Sequence, residues 1–185
     1  LAKLVDDGLV GRIGVSNVNR GQLDEALELA PIAAVEVGLS VFDDSALRGG
    51  VVERCAGRGI ALLAHSPLGG PRRTRALSRD ETLIGIATKR DVTPAQVALA
   101  WLAGIADVVV PIPGARRPEA ARTAAEASAL QLSAEEREAV GGRFAVRPRT
   151  SATTRTSGEI VLVMGIPGSG KSRIAADYVA RGFVR

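Results

Sequence analysis

The chain has 185 residues, 46% hydrophobic and 24% charged, with a net charge of +4, which is the composition of an ordinary globular protein of one or two domains. A single cysteine, Cys55, excludes an internal disulfide framework and a multi-cysteine zinc site. The apolar runs fall short of the roughly 18 residues that a bilayer span needs, and no secretion leader stands at the start, so a cytoplasmic location without a membrane partner is expected.

In chain order, residues 2–10 read as the end of a helix, and RIGVSN (12–17) as a strand. A helix follows near 20–30, with Asn19 and Gln22 spaced as a capping box and Leu23, Ala26, Leu27 and Ala30 on one face. AAVEV (33–37) is the second strand, followed by a helix near 47–57 that stops at Gly59. IALLAH (60–65) is the third strand, and PRRTRALSRD (71–80) a polar connection. Helices are expected near 81–90 and from Thr93-Pro94, the latter with Gln96 completing a capping box. DVVVPI (107–112) is the fourth strand, followed by helical PEAARTAAEA and a last helix from Ser133 with Glu136 as reciprocal cap.

Short β-branched strands with little polar alternation, each followed by a helix, predict an α/β fold with a parallel sheet buried on both faces. Polar residues gather at the C-terminal strand ends: Ser16-Asn17, Glu36, His65-Ser66 and Gly114. That edge is where ligands bind in open α/β sheets and β/α barrels. Residues 141–157 carry Arg143, Arg147, Arg149 and Arg155 without an acid, a surplus equal to the whole net charge, and read as an Arg-rich linker rather than a nucleic-acid-binding face. Three domains are therefore expected: 1–140, the linker 141–157, and 158–185.

The third begins with a new strand, EIVLVM, running into Gly165-Ile166-Pro167-Gly168-Ser169-Gly170-Lys171-Ser172. Such glycines let backbone N–H groups curl around a phosphate. Lys171 would reach the β- and γ-phosphates, and the Ser172 hydroxyl would ligate Mg²⁺, so ATP with Mg²⁺ is the expected ligand. Ile174, Ala175, Tyr178 and Val179 give the following helix an apolar face. The motif resembles that of small P-loop kinases, including polynucleotide-kinase-like ones, which implies a truncated kinase domain; a nucleic-acid partner is implied only through parts of it that do not occur here.

GRIGVSN, AVEVGLSVFD, GIALLAHSPLGG and VVVPIPGARRPE together resemble the C-terminal half of an aldo-keto reductase across about residues 1–140. The resemblance implies half of a (β/α)8 barrel that binds NADP(H) at the strand ends and exchanges hydride with a small carbonyl substrate. It implies that Ser16 and Asn17 bond the nicotinamide carboxamide, with Glu36 where the family has Gln. A carboxylate there can accept from the amide but cannot donate to its oxygen. His65 stands where the family stacks an aromatic ring on the nicotinamide; the other reading is a hydrogen-bonded structural histidine. Ser66, Leu68 and Gly69 match the loop along the pyrophosphate.

Gly114 and Ala120 replace a Lys and an Arg that grip the 2′-phosphate, and Ala124 an Asn that reads adenine. Arg116 or Arg117 is left to supply the cation, and NAD(H) stays open beside NADP(H). The implied Asp/Tyr/Lys/His tetrad lies before Leu1, so no catalytic residue is expected in this chain and it is expected to be inactive alone. Two functions follow for the parent protein: a bifunctional reductase and ATP-dependent kinase, or a nucleotide-sensing regulatory barrel coupled to an ATPase. Cys55 reads as a small buried apolar residue, Trp101 as part of a packing face, and Asp43 and Asp44 as turn or cap residues.

Overall fold

Regular alternation of strands and helices builds one parallel sheet. The computed structural model describes residues 1–115 and 117–144. Helix α1 (Ala2–Asp6) leads into strand β1 (Ile13–Ser16), then α2 (Arg20–Leu29), β2 (Ile32–Gly38), the short α3 (Ser45–Arg48) and α4 (Val51–Ala56), and β3 (Ala61–His65). Helices α5 (Pro71–Leu77), α6 (Glu81–Arg90) and α7 (Pro94–Ala103) precede β4 (Val109–Ile112), which α8 (Pro118–Ala127) and α9 (Ala134–Phe144) follow. The sheet order is β1-β2-β3-β4 and every pair is parallel. Sequential neighbours pair because each helical connection crosses back over the sheet.

Local chemistry starts the helices where expected. Asn19 and Gln22 exchange side-chain and backbone hydrogen bonds at 2.9 and 3.0 Å at the start of α2. Thr93 and Gln96 do the same for α7, and Ser133 and Glu136 for α9. Each pair satisfies two orphan N–H groups of a first turn.

One face of the sheet carries the core. Val35, Val37, Leu62, Ala64 and Val109 pack with Leu23, Val51, Val52, Cys55 and Leu102 from the helices. Cys55 is fully buried, and burial raises its thiol pKa, as suits a small apolar filler. A second cluster, built on Leu77, Leu83, Val97, Leu132 and Val140, joins α5, α6, α7 and α9. Trp101 packs against both and donates from Nε1 to the Arg137 carbonyl at 3.1 Å.

Four expectations need correction. Among the described residues the strands are covered on one face only: Val110 and Ile112 remain 46% and 39% exposed, and Gly14 and Ser16 are exposed too. The helix expected at 47–57 is two helices, broken at Gly49-Gly50 where Gly50 takes φ +72°. The connection 71–80 contains α5, whose Leu77 is buried. The linker expected over 141–157 does not start at 141, because α9 runs to Phe144; residues 145–157 lie outside the described residues. There Arg143 pairs with the buried Asp80 at 2.9 Å and the Phe144 ring meets Phe42 edge-on at 5.5 Å, contacts that outweigh the helix-weakening Gly141-Gly142. No helix among the described residues is long and apolar enough to cross a membrane.

Candidate functional site

The parallel register brings the C-terminal strand ends level. Ser16 lies opposite Glu36, Gly38 opposite His65, and His65 opposite Ile112. Just beyond β1, Asn17 turns into the left-handed region at φ +54°, its N–H donating to the Glu36 carbonyl at 2.7 Å. Just beyond β3, Ser66 does the same at φ +52°, and its carbonyl accepts from the Gly69 N–H at 2.8 Å. Two of the three non-glycine residues with positive φ among the described residues thus sit at this edge. Such backbone costs energy and persists where the surroundings hold it, often at functional sites.

His65 joins these two positions. Its Nε2 is 3.1 Å from Asn17 Oδ1, and its Nδ1 is 3.3 Å from Ser66 Oγ. An amide oxygen only accepts, so neutral His65 donates from Nε2 and accepts the Ser66 hydroxyl proton at Nδ1. Among the described residues the Asn17 amide N–H₂ has no acceptor. The ring crosses the end of β2 because Gly38 is there: a Cβ on Gly38 would lie 3.3 Å from His65 Cε1. Sequence reasoning passed over Gly38; its one signal was a glycine at a strand's C-terminal end.

On the other side of Gly38 stands Asp43. A Ser45 hydroxyl at 2.6 Å and the Ser45 N–H at 3.1 Å both donate to Asp43 Oδ1. The Ser45 hydroxyl bond, helped by Arg48 and Arg73, holds the Asp43 carboxyl below the ordinary carboxylate pKa against the opposing effect of burial. Asp44 pairs with Arg48 at 2.8 Å. Both aspartates serve the turn into α3, as expected.

A groove of about 1010 Å³ runs from Ser66, Pro67 and Leu68 to Gly114, Arg117 and Ala120, between the turn after β3 and the loop after β4. Among the described residues nothing lies within 4 Å of where a Gly114 Cβ would stand, so they leave the backbone open there. Gly69 also has a packing requirement. At φ +75°, its Cβ would meet Phe42 Cδ2 at 2.6 Å and Arg73 Cβ at 2.8 Å, so Gly69 is needed for packing. Ala124 lines a separate apolar cavity of about 220 Å³ with Leu99, Ala103 and Val109. Thr74 and Arg75 of α5 also line the groove, a placement that a polar connection over 71–80 does not signal. Arg116 and Gly165, Pro167, Gly168, Ser169, Gly170, Lys171 and Ser172, with their ATP and Mg²⁺ assignments, lie outside the described residues.

The sequence profile of the aldo/keto reductase family matches residues 1–141. The chain belongs to that family. It is 34% identical over 142 residues to aldo-keto reductase family 1 member A1-A of Danio rerio, covering 74% of this chain and 43% of the relative. It is 35% identical over 137 residues to pyridoxine 4-dehydrogenase of Escherichia coli, covering 73% and 45%. A thermostable aldo-keto reductase crystallised with the inhibitor epalrestat superposes with a TM-score of 0.69 at 37% identity, over 76% of this chain and 51% of that one. An aldo/keto reductase of Klebsiella pneumoniae, solved with NADP and acetate, gives a TM-score of 0.68 at 26% identity, over 77% and 51%. The chain therefore spans about half the length of the relatives it matches, and the family places its sheet as four strands of a β/α barrel.

The residues present fit a nicotinamide dinucleotide. Asn17 offers an amide donor, Glu36 an acceptor beside it, His65 a flat ring, and the groove a path with open backbone at Gly114.

Proposed function

We propose that residues 1–144 form the coenzyme-binding edge of an NADP(H)-dependent oxidoreductase acting on a small carbonyl compound. The observation that carries this is the hydrogen-bonded bridge from Asn17 through His65 to Ser66, held by two turns of positive φ, the second of which begins the groove at Ser66. When bound, the reduced nicotinamide supplies the hydride. This chain's part is positioning. The Asn17 amide donates to the carboxamide oxygen, and the Glu36 carboxylate accepts from the carboxamide nitrogen. His65, clamped at both ring nitrogens, presents a fixed face for the ring to lie on. The groove from Ser66 to Ala120 takes the rest of the dinucleotide. The proton donor for the carbonyl oxygen is expected on strands outside these residues, so the chain alone binds coenzyme without turnover.

The test is titration of NADPH fluorescence against wild type and Asn17→Ala. Loss of one amide hydrogen bond and of the His65 clamp is expected to weaken binding by about tenfold. Equal affinities would remove the reading. A regulatory, nucleotide-sensing barrel is the alternative supported by Glu36, His65 and Ala120, which depart from the family's usual residues; binding that survives with no carbonyl reduction in the complete protein would favour it. On sequence alone, GIPGSGKS supports a further proposal: an ATP-binding P-loop in the same polypeptide, with Lys171 on the phosphates and Ser172 on Mg²⁺.

A further inference from the structure

We infer that His65 is a proton-operated switch on the Ser66 hydroxyl: when the imidazole takes up a proton, Ser66 turns its O–H into the groove, where it donates to an anionic phosphate oxygen of the bound dinucleotide. The inference rests on the dinucleotide reading above and adds to it a proton taken up together with the coenzyme. Its basis is the asymmetry of the two contacts that hold the ring. At Nε2, 3.1 Å away, stands Asn17 Oδ1, an amide oxygen that accepts whether the imidazole is neutral or charged. At Nδ1, 3.3 Å away, stands Ser66 Oγ, a hydroxyl that either donates or accepts. Neutral imidazole has one N–H, which Asn17 takes, so Nδ1 accepts and the Ser66 proton is engaged inside the protein. Imidazolium has two N–H groups. Its Nδ1 then donates, Ser66 Oγ accepts, and the hydroxyl proton is released to point elsewhere. The added proton comes from solvent and stays on Nδ1, and no other bond forms or breaks.

The released donor faces a place for an anion. Ser66 lines the groove of about 1010 Å³ together with Arg75 and Arg117, and no carboxylate is among its described lining residues. That balance of charge favours a negative ligand, to which a hydroxyl donates more strongly than to a neutral acceptor. The groove's other lining hydroxyl, Thr74 Oγ1, already donates to the Gly70 carbonyl at 2.9 Å. The Ser66 backbone is fixed by its turn, so the switch moves a hydrogen and leaves the chain in place. Among the described residues, each element around the ring has a defined charge. From β1 comes the neutral Asn17, and from β4 the apolar Ile112 opposite the ring. From β2 comes Glu36, two residues before Gly38 and on the same face. From the loop after β2 comes Asp43, whose Oδ2 lies 3.5 Å from where a Gly38 Cβ would stand, across from the ring. From α5 comes Arg73, which shares a cavity with His65 and is engaged by the Phe42 carbonyl at 3.2 Å. Two carboxylates and one engaged guanidinium leave a positive ring with counter-charge beside it.

The experiment is calorimetric titration of the full chain with NADPH from about pH 6 to 8.5, where a histidine ordinarily changes charge and beyond. Each pH is run in two buffers of different ionisation enthalpy, which counts the protons taken up, on wild type, His65→Gln and Ser66→Ala. The 2′-phosphate of NADPH titrates alike with all three, so the quantity read is the difference between wild type and variant. Wild type is expected to take up as much as about one proton more per coenzyme than His65→Gln, and to gain about tenfold more affinity as pH falls across the range. Ser66→Ala keeps the imidazole but should lose that extra gain and follow His65→Gln. Circular dichroism checks the folds; Ser66 is exposed, so Ser66→Ala against wild type decides the matter if His65→Gln unfolds. Equal pH profiles for wild type and His65→Gln overturn the inference. A Ser66→Ala profile as steep as that of wild type also overturns it, since the effect is then plain attraction between imidazolium and phosphate. Both results leave NADPH bound and the dinucleotide reading standing. No binding of NADPH to wild type at any pH removes the reading and the inference together.

Discussion

Gly69→Ala isolates what the turn at the mouth of the groove needs. Two costs apply. An alanine at φ +75° pays the left-handed backbone penalty of about 1–2 kcal/mol. Its Cβ would stand 2.6 Å from Phe42 Cδ2 and 2.8 Å from Arg73 Cβ, so the Phe42 ring or the start of α5 must move. Overpacking of that kind costs about 1–3 kcal/mol, while the stiffer unfolded chain returns roughly 0.4–1 kcal/mol. The net expectation is a loss of about 2–4 kcal/mol.

Gly59→Ala is the control. That residue has φ +65° but nothing within 4 Å of its Cβ position, so only the backbone cost applies and about 1 kcal/mol is expected. Urea unfolding of both variants measures the difference. With a slope near ~2 kcal/mol/M, a gap of about 2 kcal/mol separates the midpoints by about 1 M. Phe42→Leu in the Gly69→Ala background should recover part of the loss by making room, as coupled neighbours do. If Gly69→Ala is no more destabilising than Gly59→Ala, to within about 0.5 kcal/mol, the packing role assigned to Gly69 is wrong.

Two further outcomes are expected. Asp43 titrates below its unfolded value, so it contributes stability that is fully present above that unfolded value and is lost as pH falls through its lower folded pKa. Ser45→Ala removes the main cause of that shift; it should destabilise the protein at pH 7 and converge on wild type at acid pH once Asp43 is protonated, and a deficit constant with pH would assign the loss to packing instead. For the phosphate loop, Lys171→Ala should weaken ATP binding by about ten- to a hundredfold, and Ser172→Ala should act on Mg·ATP more than on ATP with a chelator; calorimetry showing wild-type ATP affinity for Lys171→Ala would make GIPGSGKS an ordinary glycine turn.

Residues close together in the chain made much of this protein legible from its sequence. Caps such as Asn19 with Gln22 and Thr93 with Gln96 work across three positions, so they can be read off a line of text, and they start helices where expected. The same holds for the polar residues closing apolar strands: once the sheet is parallel, Ser16, Asn17, Glu36, His65, Ser66 and Gly114 must share an edge. The four motifs that carry the family resemblance are local in the same sense.

Contacts between distant residues decided the rest. His65 reaches Asn17 across 48 positions of sequence, and only the register of β1, β2 and β3, with no side chain at Gly38, brings them together. The packing requirement at Gly69 comes from Phe42, 27 residues earlier, which fills the space beside it. Helix α5 was hidden because PRRTRAL lacks a clear apolar stripe; Leu77 holds it by entering a cluster supplied by α6, α7 and α9. Residues 141–144 read as the start of a linker, yet α9 continues through them because Asp80 and Phe42 meet Arg143 and Phe144. In each case the deciding free energy comes from burial or pairing with a partner that no local pattern names, which is why propensity yields to tertiary packing at these points.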